Sequence, residues 1–130
     1  MSFNKRLPTF LILTLLVFGV NLINAQTAVS KFKKADELRF KNHKESLTML
    51  AECYQEFTTL KDTTNAIKTL RRIAFINGHH AKYKESYDCL WKALSLASLS
   101  GKESTVASLY VDIGRYYGFY KRKEEAFNFI

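Results

Sequence analysis

The sequence contains few of the residues that interrupt, bend or cross-link a chain. Its 130 residues include one proline, at position 8, five glycines, one tryptophan and two cysteines. Proline breaks a helix when it stands in the helix interior. No proline follows Pro8, so no later helix is interrupted in this way. No long stretch alternates apolar and polar residues, so β-strands have little support. These absences favour long helices and exclude a scaffold held by many disulfides.

Signature motifs of common enzyme classes are also missing. The chain has no glycine-rich phosphate-binding loop, no Gly-x-Ser-x-Gly and no His-Glu-x-x-His. His43, His79 and His80 have no acidic or sulfur ligand at zinc-binding spacing. We therefore expect no enzymatic activity, no metal and no cofactor.

The segment 1–25 differs from the rest. Lys5 and Arg6 precede the apolar run FLILTLLVFGV at 10–20, and the small Ala25 stands just before Gln26. This order is typical of a secretory signal peptide, cut here after Ala25, with export to the periplasm or the medium. The apolar run is shorter than the ~20 residues of a spanning helix, which disfavours the alternative of a membrane anchor. We expect no stable membrane span in residues 26–130.

Basic residues outnumber acidic ones, 20 to 12, for a net charge of +8. Loss of Lys5 and Arg6 with the signal peptide leaves 18 basic and 12 acidic residues, or +6. The basic residues are interspersed with acidic ones, as in KRKEE at 121–125. We expect a solvated surface with a preference for acidic partners, and no nucleic acid.

A short phrase returns at a fixed interval, as KES at 44–46, KES at 84–86 and EEA at 124–126. Apolar residues recur in the same register, at helical spacings of three and four: Leu47, Leu50, Ala51, Tyr54 and Phe57, then Tyr87, Leu90, Trp91, Leu94 and Ala97. The pattern predicts an all-α fold of about 2.5–3 stacked helix hairpins with a period of ~40 residues, an α-solenoid. The predicted units are 27–60, 63–100 and an incomplete 105–130. The phrase marks the start of each second helix.

The register also predicts details of packing and of the turns. Trp91 is expected in the core, and Cys53 and Cys89, at different places in their repeats, are expected as buried free thiols rather than a disulfide. Gly78 and Gly118 are predicted to end helices in the left-handed conformation, and another helix is predicted to end at Gly101. The expected helix N-caps are Asp62 or Thr63, and Ser104.

The third unit resembles a tetratricopeptide repeat. Tyr110, Ile113, Gly114 and Tyr117 match its W-x2-L-G-x2-Y pattern, and Ala126 and Ile130 match the small and large residues that follow. The second unit fits more loosely and has Asn77 where the pattern has tyrosine. Behind a signal peptide, such repeats look like the sensory halves of bacterial membrane signalling proteins. Ile130 falls partway along the expected last helix, so we expect a truncated chain or an open end that pairs with something else.

The resemblance implies a concave groove lined by the first helix of each hairpin. The candidate protein-binding residues are therefore Lys68, Arg71, Phe75, Ser108, Val111, Arg115 and Phe119. The expected partner is a protein or peptide, with a preference for acidic ones. The leading expectation is a non-enzymatic interaction module outside the cytoplasm. The alternative is the input domain of a histidine kinase or of a helix-turn-helix transcriptional regulator in the membrane. The oligomeric state is left open.

Overall fold

A computed structural model describes residues 8–128, and all regular structure among them is α-helical. The five helices are α1 (Thr9–Leu38), α2 (His43–Thr59), α3 (Thr63–His79), α4 (Tyr83–Leu99) and α5 (Glu103–Asn128). Each helix packs against the next along the chain. Because the connections are only three or four residues long, neighbouring helices run antiparallel. The prediction of an all-α fold is confirmed.

The helices from α2 onwards start at equal intervals, at His43, Thr63, Tyr83 and Glu103. One period of the sequence, from the first KES phrase to the second, therefore spans two helices and two turns. The phrase falls in the first turn of α2 and again in the first turn of α4.

The buried serines of this phrase join consecutive helices. Ser46 Oγ donates to the Ala35 carbonyl at 2.6 Å, and Ser86 Oγ donates to the Ala74 carbonyl at 2.6 Å. The serines are one full period apart, whereas the alanines are 39 positions apart, so Ala35 lies nearer the end of α1 than Ala74 lies to the end of α3. The small side chain thus permits close approach, and its hydroxyl is satisfied by a carbonyl of the neighbouring helix.

Three helices end in the same way. Lys61, Ala81 and Gly101 have positive φ angles of 56°, 58° and 67°. In each case the next amide donates to the carbonyl five residues back, at 2.9 Å, 2.9 Å and 3.2 Å, which closes the helix in a Schellman motif. The left-handed residues are therefore as evenly spaced as the helix starts. The prediction that a helix ends at Gly101 is confirmed.

The predictions for Gly78 and Gly118 are wrong, because both lie inside helices. Gly78 serves packing instead: a Cβ there would overlap the ring of Tyr116, which lies against the α3 backbone. At the helix starts, Asp62 caps α3 by accepting from the Asn65 amide at 3.1 Å, as predicted. Ser104 is not a cap, because α5 begins one residue before it.

The core consists of two clusters that meet at α3. The first joins α1, α2 and α3 through residues such as Phe32, Leu50 and Phe57, and α3 contributes Ala66 and Ile76. The second joins α3, α4 and α5, and its buried members are Ile67, Leu70, Ala74, Leu90, Ala93, Leu94, Ala97, Leu109 and Ile113.

The prediction that Trp91 is a core residue is wrong, since it is 44% exposed. The buried face of α4 includes Ala93 instead of Trp91, and Ala93 is fully buried. Cys53, one period earlier on α2, is also fully buried. Both cysteines are free, with Cys53 buried and Cys89 partly buried. Burial raises the pKa of the Cys53 thiol to about 11, which makes it a poor nucleophile.

The two ends of the chain also depart from the hairpin pattern. Helix α5 continues to Asn128, so the turn expected before Glu124 does not occur; Tyr120 instead donates to Glu124 one helical turn on, at 2.6 Å. Ile130 lies outside the described residues, as do Lys5 and Arg6.

Among residues 8–128, α1 is the one helix long and apolar enough to cross a membrane, and its first buried residue is Ala28.

Replacing Ala81 by glycine should stabilise the protein by about 1 kcal/mol, because glycine accepts a left-handed conformation without the penalty of a Cβ. Ala51→Gly, at an exposed position within α2, should cost about 1 kcal/mol because glycine weakens a helix interior. Urea unfolding of both variants measures the difference. Equal effects of the two substitutions would contradict a left-handed residue 81.

Candidate protein-binding groove

A cleft of about 490 Å³ lies between α3 and α5, over Leu90 of α4. We call it the groove. Its lining residues are Thr64, Ile67, Lys68, Arg71, Arg72, Phe75, Leu90, Thr105, Asp112, Arg115 and Tyr116. Four of the seven candidate residues are among them: Lys68, Arg71, Phe75 and Arg115.

Arg71 joins the two walls of the groove. Its Nη2 lies 2.7 Å from Asp112 Oδ2 and 3.0 Å from Ser108 Oγ. Ser108 thus borders the groove through Arg71 rather than by facing a ligand. The guanidinium is engaged by a carboxylate of its own chain, which reduces the charge it presents to a partner.

The remaining two candidate residues lie outside the groove lining. Val111 is 65% exposed on α5. Phe119, in the second half of α5, stacks on Tyr83 of α4 with ring centroids 5.5 Å apart. The structure therefore brings five of the seven candidate residues together and separates these two.

Helix α3 is tied to α1 on its other side. Arg72 Nε lies 2.7 Å from Asp36 Oδ1, and Lys68 Nζ lies 5.0 Å from the centroid of the Phe32 ring. Arg72 and Asp112 are one full period apart, and each reaches back to the preceding odd-numbered helix. The same position in the repeat therefore forms an ion pair with the preceding odd-numbered helix in both cases, but it is an arginine on α3 and an aspartate on α5.

Positive charge dominates the groove. Four cationic side chains and one carboxylate line it. Arg71 and Arg72 are held by Asp112 and Asp36 at 2.7 Å each, whereas Arg115 approaches Asp112 only to 3.9 Å. Lys68 and Arg115, both exposed, are therefore the cations best placed to meet a ligand.

An aromatic and histidine cluster lies beyond Phe75. The Phe75 ring lies 6.3 Å from Phe40 and 6.1 Å from His79, and His43 stacks on His80 at 3.8 Å. Partial desolvation by the neighbouring rings, with the charges of His43, His79 and Lys82 adding to it, lowers the pKa of His80. The described residues contain no group of three His, Cys, Asp or Glu side chains able to hold a metal.

Sequence reasoning missed Asp112, Arg72 and Asp36. A signal for Asp112 was present, because it is the one acidic residue of α5 between Glu103 and Glu124. It also stands one helical turn from Ser108 and three residues before Arg115, so all three share one side of the helix. The pairing itself depends on how α3 and α5 approach each other.

No family model, no curated protein and no solved structure matches this chain. The likeness to tetratricopeptide repeats therefore rests on its own residues.

The Arg71–Asp112 pair should contribute about 1 kcal/mol of coupling energy, because it is partly buried and hydrogen-bonded. A double-mutant cycle of Arg71→Ala and Asp112→Ala, read by urea unfolding, measures it. The control is the exposed pair Lys84–Asp88, at 2.6 Å, for which about 0.3–0.5 kcal/mol is expected. Coupling of Arg71 and Asp112 no larger than the control would contradict their role as a bridge between α3 and α5.

Proposed function

We propose that this protein is a non-enzymatic interaction module, a short α-solenoid of tetratricopeptide-like hairpins that binds an acidic peptide segment outside the cytoplasm. The observation that carries this proposal is the groove between α3 and α5. Its walls supply Lys68 and Arg115, and Phe75 lies at one end. No cofactor is part of the proposal.

The repeat supports reading α3 and α5 as equivalent helices. Their starts, Thr63 and Glu103, are separated by one full period, and the sequence register makes each the first helix of its hairpin. Helices that are equivalent under such a repeat expose equivalent faces, which together form an extended concave surface. The groove is the part of that surface that lies between α3 and α5.

The dimensions and charges of the groove suit a short peptide segment. A volume of about 490 Å³ falls in the range of ordinary ligand sites, so it accommodates a few side chains. A carboxylate between Lys68 and Arg115 would meet two cations, while an apolar side chain next to it would pack on Phe75, which is 38% exposed. The aromatic ring excludes water from the contact and the cations orient the ligand.

Peptide display on the full chain should therefore select sequences in which acidic residues flank one apolar residue. Lys68→Glu with Arg115→Glu should weaken a selected peptide about tenfold or more, and binding to the parent protein should weaken with salt. Fluorescence anisotropy measures both effects.

The matched control is Lys41→Glu with Lys44→Glu, which changes the net charge equally at two exposed lysines outside the groove lining. Selection without acidic preference, or equal loss of binding in the two double variants, would contradict the groove as the binding site.

Export is the second part of the proposal. The first buried residue of α1 is Ala28, so a cut after Ala25 removes no residue of the core. The exposed apolar residues of α1 lie mainly before that cut, from Phe10 to Ile23. Their removal would leave a helical domain with far less exposed apolar surface, as solubility outside the cytoplasm requires.

We expect the protein recovered from the cell envelope to begin at Gln26, as determined by N-terminal sequencing. Ala25→Leu should block the cut, because signal cleavage needs a small residue at that place. Recovery of the parent chain with Met1 in the membrane fraction would instead support an anchored protein.

One observation favours that alternative, an input domain of a membrane-bound signalling protein. Helix α1 is continuous over 30 residues and joins the apolar segment to the buried Ala28 and Phe32 without a flexible linker. An uncut α1 would therefore transmit a movement of the helical domain directly to the membrane. The N-terminal sequencing above separates the two functions.

A further inference from the structure

Helix α5 presents a regular stripe of exposed side chains that no other described element covers. The stripe alternates small residues with tyrosines and has a charge at each end. Its members are Glu103, Ala107, Tyr110, Gly114, Tyr117 and Lys121, all exposed. Spacings of four and three place them on one face of the helix. Tyr110 is 57% exposed and Tyr117 is 48% exposed.

The corresponding face of α3, one period earlier in the sequence, is a packing surface. One period before the four central members stand residues of α3 that are all buried: Ile67, Leu70, Ala74 and Asn77. Ile67, Leu70 and Ala74 belong to the core cluster that α3 forms with α4 and α5. The stripe on α5 is thus the counterpart of a surface that α3 buries against the next helix.

The stripe is complementary to itself when two copies of α5 run antiparallel. Relative to position 112, Tyr110 and Gly114 lie two residues to either side, and Ala107 and Tyr117 lie five residues to either side. In an antiparallel pair that crosses at this position, each tyrosine of one copy therefore meets a small residue of the other. The protein already contains such a contact, because the Tyr116 ring lies on Gly78 of α3.

The charges at the ends agree with the same register. Glu103 and Lys121 lie nine residues to either side of position 112, so each glutamate faces a lysine of the other copy, twice per dimer. Parallel pairing in register would bring like charges together instead, which is unfavourable. Antiparallel pairing also sets the positive start of one helix beside the negative end of the other.

Aromatic residues of α4 extend the surface next to Tyr117. Tyr87 lies 5.8 Å from Tyr117 and 6.0 Å from the exposed Trp91, measured between ring centroids. Aromatic side chains of this kind are enriched where protein surfaces meet.

We propose that two copies of this chain associate through α5, antiparallel and in this register. The pairing buries Tyr110 and Tyr117 of each copy on Gly114 and Ala107 of the other, with Trp91 at the flank. An interface built on one helix pair is near the lower limit of specific interfaces, roughly 1,000 Å², so the dimer is expected at micromolar concentration.

Zero-length carbodiimide cross-linking of the full chain in detergent, followed by peptide mass spectrometry, tests the register directly. Within one copy Glu103 and Lys121 lie on a single helix, separated by about five turns or roughly 27 Å, so a bond between them forms only between copies. We expect this cross-link. Lys31, which pairs with Glu52 at 3.3 Å and with Glu56 within one copy, provides the internal control for the chemistry.

Gly114→Gln should lower the yield of the Glu103–Lys121 cross-link about tenfold or more while leaving the Lys31 cross-links unchanged. The variant should fold, because a Cβ at Gly114 meets nothing within 4 Å of its own chain. Gly118→Gln, at another open glycine of α5 that is not a member of the stripe, should keep the cross-link. It controls for the change in helix propensity.

A second arm reverses the charges. Glu103→Lys or Lys121→Glu alone should abolish the cross-link between these positions, and the double exchange should restore it. Absence of the parent cross-link beside normal Lys31 cross-links would overturn the proposal. So would a yield that Gly114→Gln leaves unchanged, or cross-links from Lys121 to a different protein in place of Glu103.

Discussion

Helix α3 has to bury two apolar stripes at once, and the rest of the structure depends on this constraint. Ala66 and Ile76 belong to the cluster with α1 and α2, whereas Ile67, Leu70 and Ala74 belong to the cluster with α4 and α5. A single helix hairpin cannot cover both stripes, so the chain must supply a helix pair on each side. The molecule has two core clusters because α3 has two buried faces.

The uniform turns make this arrangement possible. Helices α2, α3 and α4 are each 17 residues long. Each is followed by a left-handed residue at the same position and closes with the same backbone hydrogen bond. Because these helices and their turns are equal in length, the helices from α2 to α5 start at equal intervals along the chain. Buried serines at the starts of α2 and α4 then join α2 to α1 and α4 to α3, through hydrogen bonds of 2.6 Å.

The groove follows from the same geometry. Odd-numbered helices are brought side by side by the even-numbered helices that separate them in the chain. Their contacts include ion pairs, Arg72 with Asp36 and Arg71 with Asp112. Such partly buried ion pairs fix the spacing of the helices more than they stabilise them. The cations left over in the groove, Lys68 and Arg115, give it its positive character.

The sequence by itself determined that the chain is helical and where most of its turns fall. Apolar spacing of three and four, the absence of proline after position 8 and the phrase at 44–46 and 84–86 were sufficient, because they reflect local backbone geometry. Residues Asp62 and Gly101 were also predictable, since capping and left-handed closure are decided within a few residues.

Only the tertiary structure decided which side of each helix is buried. A helix with partners on two sides has a wide apolar arc, and the sequence pattern does not show where along that arc a partner lies. Trp91 is therefore exposed while Ala93 and Cys53 are buried. For the same reason Arg71 was predicted as a residue that contacts a binding partner, although α5 brings Asp112 to it. Whether a segment forms a helix is decided by nearby residues, whereas the pairing of its side chains depends on residues a full repeat period away.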